Sequence, residues 1–183
     1  GAFRDIDGFD KKEFWRDSFM IGSISKLIAK HTQCDPETAF TCGMMHNIGE
    51  LLIRMAKPEQ AAQIDNLVKE GAIRADLQEN QFSYNYADVG AELAKRWNFP
   101  TDIVKAVKQQ VRPNDAEDYS PYSSIIYIAN YLNNAFKQNK EAETVLAEFP
   151  TDIAKPLNIN LVSFFEALVE LTKAEDDIEA IIA

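Results

Sequence analysis

Residues 43–52 read Gly43-Met44-Met45-His46-Asn47-Ile48-Gly49-Glu50-Leu51-Leu52. The stretch follows a sharp helix start, with Asp35 placed as N-cap, Pro36 at the first helical position, and Glu37 and Thr38 in the first turn. From Pro36 a helix is expected to run to about Met55, with Phe40, Met44, Ile48, Leu51 and Leu52 facing inward. Gly43 and Gly49 stand out inside it, because an interior glycine costs about 1 kcal/mol relative to alanine. They point to close helix packing, or to a place where backbone must come near. The His46-Asn47 pair between two such glycines is the unusual feature of an otherwise regular helical pattern.

The pattern stays helical on both sides. Asp10 can cap a helix that carries Phe14, Ile21, Ile24 and Ile28 and runs to about Lys30. Pro58 restarts the chain into a helix ending near Gly71, and residues 72–80 read as another. Asn80 to Asn85 reads as a polar, aromatic loop. A helix from about Tyr86 to Trp97 carries Val89, Leu93 and Trp97, and Asn98-Phe99-Pro100 breaks it. Trp97 is expected to be a core anchor and Pro100 a helix stop. Thr101 is expected to cap a basic helix over 102–111, and Arg112 to Pro121 to be an acidic loop. A long helix follows over about Tyr122–Lys137. The remainder reads as short helices broken at Pro150 and Pro156, then 161–173 and a short terminal piece. Sustained alternation of period two is absent, so strands are not expected. The reading is an all-α bundle of about eight helices forming one domain over residues 1–183.

Composition supports this and removes other classes. The 183 residues are 46% hydrophobic and carry 19 basic against 29 acidic side chains, a formal charge of −10. Such a chain can bury a full core. Seven glycines and seven prolines are too few for a disordered or collagen-like chain. No apolar run approaches the roughly 18 residues of a spanning helix, and no basic n-region with an apolar h-region opens the chain. No membrane association is expected. Gly1 would suit an excised piece of something longer. Cys34 and Cys42 are too few for a disulfide framework or a zinc knuckle and fit a reducing cytoplasm. The negative charge argues against nucleic acid, since phosphate neutralisation needs clustered Lys and Arg. Half of that charge sits in residues 166–183, through Glu166, Glu170, Glu175, Asp176, Asp177 and Glu179 against Lys173. Residues 95–112 are basic instead, and Lys105, Lys108 and Arg112 at i, i+3, i+7 would share one helix face. That face is either plain solvated surface or a docking patch for an acidic or phosphorylated partner.

Motifs for common chemistries are missing. There is no glycine-rich phosphate loop and no G-x-S-x-G elbow. Two histidines, His31 and His46, cannot make a histidine-rich metal site, and His31 suits a helix C-terminus. The segment around His46 is different. An internal His-Asn flanked by glycines resembles the HD superfamily of phosphohydrolases, where the pair reads His-Asp. Other segments narrow the match. Phe14-Trp15-Arg16-Asp17-Ser18 looks like an F-W-R-H-S element. Ala87-Asp88-Val89-Gly90-Ala91-Glu92-Leu93 followed by Arg96-Trp97-Asn98-Phe99-Pro100 and Ile103 looks like H-A-E-V-G-A…W-x-x-P-x-x-I. Ile128-Ala129-Asn130-Tyr131-Leu132 looks like a later A-D-x-L/A. Together these are similar to HDOD domains, bacterial signalling modules related to the HD enzymes. The resemblance covers about residues 13–135, leaving 136–183 as C-terminal helices. It also implies a further helical half before the F-W-R segment, which this sequence lacks.

In the enzymes such a site holds one or two divalent cations that make hydroxide at neutral pH. Residue by residue, the resemblance places Asp17 where the first His would stand and His46-Asn47 at the His-Asp. Tyr86 falls where another His precedes the A-x-V-G turn, Gln109-Gln110 where a His pair would follow, and Asn130 at the last Asp. Only His46 survives, with Asp17 as a possible oxygen donor, and amide oxygens are weak ligands for transition metals. No metal or other cofactor is therefore expected. Asp17, His46, Asn47 and Asn130 should instead form a buried hydrogen-bond cluster whose members satisfy each other. The expected function is a non-catalytic regulatory output module of a bacterial cytoplasm, acting through contacts with other signalling proteins. Two alternatives stay open: a metal-dependent phosphohydrolase acting on nucleotides or cyclic dinucleotides, and a sensor binding a small nucleotide through Asn47, Asn130, Gln109 and Gln110.

Overall fold

Helix starts are set by short side chains reaching back to free backbone N–H groups. In the computed structural model, which describes residues 9–182 (without the side chains of 175 and 177–182), the Asp10 carboxylate accepts from Glu13 N at 3.0 Å and opens α1, Lys11–Lys30. Asp35 does the same for α2, Pro36–Met45, accepting from Thr38 N at 2.8 Å. The expected single helix to Met55 is not formed. The chain turns at His46-Asn47, and α3 runs separately over Ile48–Ala56. The cause is packing: α2 lies along α1, whereas α3 lies along a later helix, so the two cannot share an axis.

After α4, Pro58–Lys69, and α5, Arg74–Phe82, a capping box at Asn85 and Asp88 opens α6, Tyr86–Arg96. α5 takes in Asn80 to Phe82, which the sequence reads as loop, and stops at Ser83 with φ of 67°. α7 covers Thr101–Gln109. Pro100 holds its N-cap position and Thr101 is its first residue, so the expected Thr101 cap is not made. A short 3₁₀ turn at Pro113–Asp115 precedes α8, Pro121–Lys137. α9, Ala142–Ala147, and α10, Thr151–Ala154, with a second 3₁₀ turn at Lys155–Leu157, lead into α11, Leu161–Ile182. α11 is continuous where two pieces are expected. The described residues thus form eleven α-helices against the eight anticipated, and no strand. No helix among them is long and apolar enough to cross a membrane.

α1 and α8 form the spine. Ile21, Ile24 and Ile28 meet Ile125, Ile128 and Leu132, and the C-terminal helices close over them with Val145, Phe149, Phe164 and Leu168. A second apolar cluster joins Cys42, Ala91, Ile103, Val107 and Ile126. Both interior glycines serve close packing. A Cβ on Gly43 would sit 2.7 Å from Gly22 Cα, and one on Gly49 would overlap the Tyr86 carbonyl. α6 approaches α3 so closely that its buried face is Ala87, Gly90, Ala91 and Ala94. Trp97 is consequently pushed to the outside at 54% exposure, so it is not the core anchor expected.

Candidate functional site

Seven segments of the chain, α4 and α5 among them, surround a cleft of about 740 Å³. Asp17 reaches it from α1, His46 and Asn47 from the α2–α3 turn, Tyr86 from the start of α6, Gln110 from just past α7, and Asn130 from α8. Six of the seven positions singled out thus line one cavity. Gln109 points elsewhere: its amide donates to Asp118 O at 2.7 Å and accepts from Ser120 N at 2.8 Å, pinning the 112–120 loop.

The geometry within the cleft departs from the mutual cluster expected. His46 is 5% exposed, and its Nδ1 lies 2.7 Å from Gly43 O, which fixes Nδ1 as the protonated nitrogen. Burial pushes the imidazole pKa down to about 4, while the Gly43 bond and the Asp17 charge pull weakly the other way. Its backbone carbonyl accepts from Gln110 Nε2 at 2.9 Å, a bond that ties the end of α7 to the α2–α3 turn. Asp17 is satisfied from α8: Asn133 Nδ2 donates at 3.1 Å and Lys137 Nζ at 2.8 Å. Lys137 also contacts Glu13 at 2.7 Å. No hydrogen bond joins Asp17, His46, Asn47 and Asn130 to one another among the described residues, and only His46 of the four is fully buried. Tyr86 is half-buried, and desolvation pushes its phenol up to about 12.

The basic patch also differs from expectation. Arg112 lies beyond the end of α7 and clamps α5, donating to Asp76 at 2.6 Å and to Glu79 at 2.8 and 2.9 Å. Lys105 pairs with Asp118 at 2.6 Å, and Lys108 lies 3.5 Å from Asp88. Arg112 is thus off the helix that carries Lys105 and Lys108, and each of the three is engaged within the chain. Of the six C-terminal acids, Glu175, Asp177 and Glu179 lie in α11 with side chains outside the described ones. Cys42 is buried, which pushes its thiol up to about 12, away from a reactive thiolate. His31 ends α1, with its ring against Phe164.

Several residues beside the cleft were not singled out from the sequence. Asn133 and Lys137 follow Asn130 at i+3 and i+7, so helical spacing alone could have placed them on one face of α8. The other group has no such signal. Glu50, only 3% exposed, accepts from Gln78 at 2.7 Å, Arg54 at 3.1 Å and Arg74 at 3.3 Å. Asp65 accepts from the same two arginines at 2.6 to 2.8 Å. Gln78 Oε1 in turn accepts from Tyr86 N at 2.7 Å. This network joins α3, α4 and α5 and fixes the first residue of α6. Arg74 and Arg112 both border the cleft.

The donor set does not fit the divalent cations of HD enzymes. At the positions the resemblance assigns, it offers one imidazole, one carboxylate and neutral amides; Asp76, which also borders the cleft, is held by Arg112, and no group of three His, Cys, Asp or Glu side chains suited to a metal occurs among the described residues. The one carboxylate already faces an ammonium 2.8 Å away, whose positive charge opposes a cation at the same oxygen.

Comparison with known proteins agrees with this architecture. Residues 1–113 match the family model of the HDOD domain. The chain is 29% identical over 136 residues to an uncharacterized protein of Treponema pallidum (strain Nichols), covering 71% of this chain and 26% of that one. The structure is similar to a "Putative phosphohydrolase" from Shewanella amazonensis SB2B, with a TM-score of 0.81 and 32% identity over 91% of this chain and 62% of that one. It shares the fold of a "Putative signal transduction protein" from Marinobacter aquaeolei VT8, with a TM-score of 0.75 and 16% identity over 97% of this chain and 40% of that one. In each case the chain spans less than two thirds of its relative's length. With 113 of 183 residues matched, the chain belongs to the HDOD domain family.

Proposed function

We propose that this chain is a non-catalytic regulatory module that transmits a signal through contacts with other proteins of a bacterial cytoplasm. The observation that carries the reading is the Lys137–Asp17 pair. The chain's own ammonium neutralises Asp17, the one carboxylate left at the positions the resemblance assigns, and the positions that should supply further negative charge are Asn47 and Asn130. Metal-assisted hydrolysis needs several charged donors and an open coordination position. A scaffold retaining the cleft without that charge keeps a surface, and a pocket beside His46, for a partner or a small ligand. Membership of the HDOD family supports the reading, as does the fold shared with a protein described as acting in signal transduction.

The competing reading is a phosphohydrolase, favoured by the retention of His46 and Asp17 and by the description of the Shewanella protein. Elemental analysis and a phosphodiester hydrolysis assay with added Mn²⁺ separate the two. The regulatory reading expects substoichiometric Mn, Fe, Zn and Ni and no turnover above the blank. Stoichiometric metal, with turnover abolished in both Asp17→Ala and His46→Ala, overturns it.

A further inference from the structure

Two exposed surfaces away from the cleft complement each other. The first is a groove of about 660 Å³ between α9 and α11, lined by Leu146, Val162, Phe165 and Val169. Val162 is 73% exposed, and Leu146 and Val169 are more than half exposed. The border of the groove is acidic. Lys140 is held by Glu148 at 3.0 Å, whereas Glu166 lines the groove and Glu141 and Glu143 flank Ala142, which also lines it. These three glutamates are exposed and meet no cation among the described residues.

The second surface is the outer face of α1. Lys12, Trp15, Phe19 and Lys26 recur at i, i+3, i+7 and i+14, and Lys30 follows five turns after Lys12, so all five share one side of the helix. Phe19 is 49% exposed and Trp15 41%. Lys26 pairs with Glu37 at 3.0 Å, but Lys12 and Lys30 meet no carboxylate among the described residues. The acids of this helix, Glu13 and Asp17, are held instead by Lys137. The face is therefore aromatic and basic where the groove is aliphatic and acidic.

An amphipathic helix laid in an apolar groove is a recurrent mode of protein recognition. Charge decides which surfaces can meet. Groove on groove sets glutamates against glutamates, and α1 on α1 sets lysines against lysines. Exchange between copies sets lysines against glutamates. The two surfaces also adjoin: a hollow lined by Lys12 and Glu13 is lined as well by Phe136, Lys140 and Thr172, which belong to the groove. A two-fold axis passing between them therefore satisfies both contacts at once and closes the assembly. The net charge of −10 opposes this only weakly, because charges more than about 8 Å apart are screened at physiological salt.

We infer that the chain forms a two-fold dimer in which the outer face of α1 of each copy lies in the α9–α11 groove of the other. Sedimentation velocity from about 1 to about 300 µM tests it, together with the fluorescence of Trp15 in a Trp97→Phe background. The mass should rise from 20.7 kDa toward twice that value, with a Kd below about 100 µM. Trp15 emission should shift to the blue in step as water leaves the ring. Val162→Glu and Lys12→Glu, both with unchanged melting curves, should each weaken the dimer at least about tenfold. Lys95→Glu makes the same change in net charge on α6 and should weaken it less than about twofold. The inference is overturned if the chain stays a monomer throughout, if a dimer forms without the Trp15 shift, if Val162→Glu associates as the parent does, or if Lys95→Glu weakens association as much as Lys12→Glu.

Discussion

The His46 ring is 5% exposed, with Nδ1 donating to the Gly43 carbonyl at 2.7 Å. Its position beside Asn47 marks the site, but its protonation state follows from burial. The folded-state pKa, about 4, lies below the ordinary value of 6.5. Between those values the unfolded chain binds more protons, so stability is full above about 6.5 and falls as the pH drops toward about 4. The loss should reach on the order of 3 kcal/mol. Glu50 works in the opposite sense, because desolvation raises its pKa and protonation relieves that penalty as the pH falls. Urea titrations of the parent and His46→Asn across this range isolate the histidine. Their difference should shrink with falling pH, and a constant difference would refute the neutral buried ring. Gly49 supplies a second test at this scale. Gly49→Ala forces a Cβ into the Tyr86 carbonyl, where backbone cannot yield, and should cost about 3 kcal/mol in chemical denaturation. Gly71→Ala, with φ of 106° but open space around it, should cost only about 1 kcal/mol.

Among elements, the capped starts of α1 and α2 were readable, since Asp10 and Asp35 act within three residues of themselves. The break between α2 and α3 was not, because local propensity runs through it and only the different partners of the two helices impose it. The network joining α3, α4 and α5 has the same character: Glu50 and Arg54 are an i, i+4 pair, but Asp65, Arg74 and Gln78 arrive through folding. Its two carboxylates should respond differently to neutralisation. Desolvation raises the Glu50 pKa beyond what Arg74 and Arg54 recover. At Asp65 desolvation also acts, but hydrogen bonds from Arg54 and Arg74 outweigh it and hold the carboxyl below its usual range. Asp65→Asn should therefore destabilise by about 2 kcal/mol at neutral pH, after allowance for its partial exposure. Glu50→Gln should change stability by less than about 1 kcal/mol. Equilibrium unfolding of the two variants checks the order, and a larger loss at Glu50 would contradict it.

At the scale of the whole molecule, the site is a matter of charge balance among segments far apart in sequence. Asp17 and Lys137 lie 120 positions apart, and their contact at 2.8 Å sets a cation of the protein's own against the carboxylate of Asp17. If that balance excludes divalent ions, reversing it should admit them. The parent should show no Mn²⁺-dependent rise in Tm. The combined variant Asn47→Asp, Asn130→Asp, Lys137→Ala should gain one, because a ion bound only by the native state stabilises it. Differential scanning calorimetry with and without Mn²⁺ checks this, and a Tm rise of equal size in the parent would overturn it.

Helical class, most helix starts, the family resemblance and six of the residues that line the cleft were readable along the chain. These follow from local physics: periodicity, capping, and residue types at set spacings. Only the tertiary structure decided that Gln109 leaves the cleft while Arg74 and Arg112 border it, that Trp97 faces outward, and that Asp17 is neutralised by Lys137 and not by His46. The physical reason is shared. Burial and pairing depend on how closely helices cross, here set by Gly43 and Gly49, and on which charged side chains that crossing brings within hydrogen-bond reach.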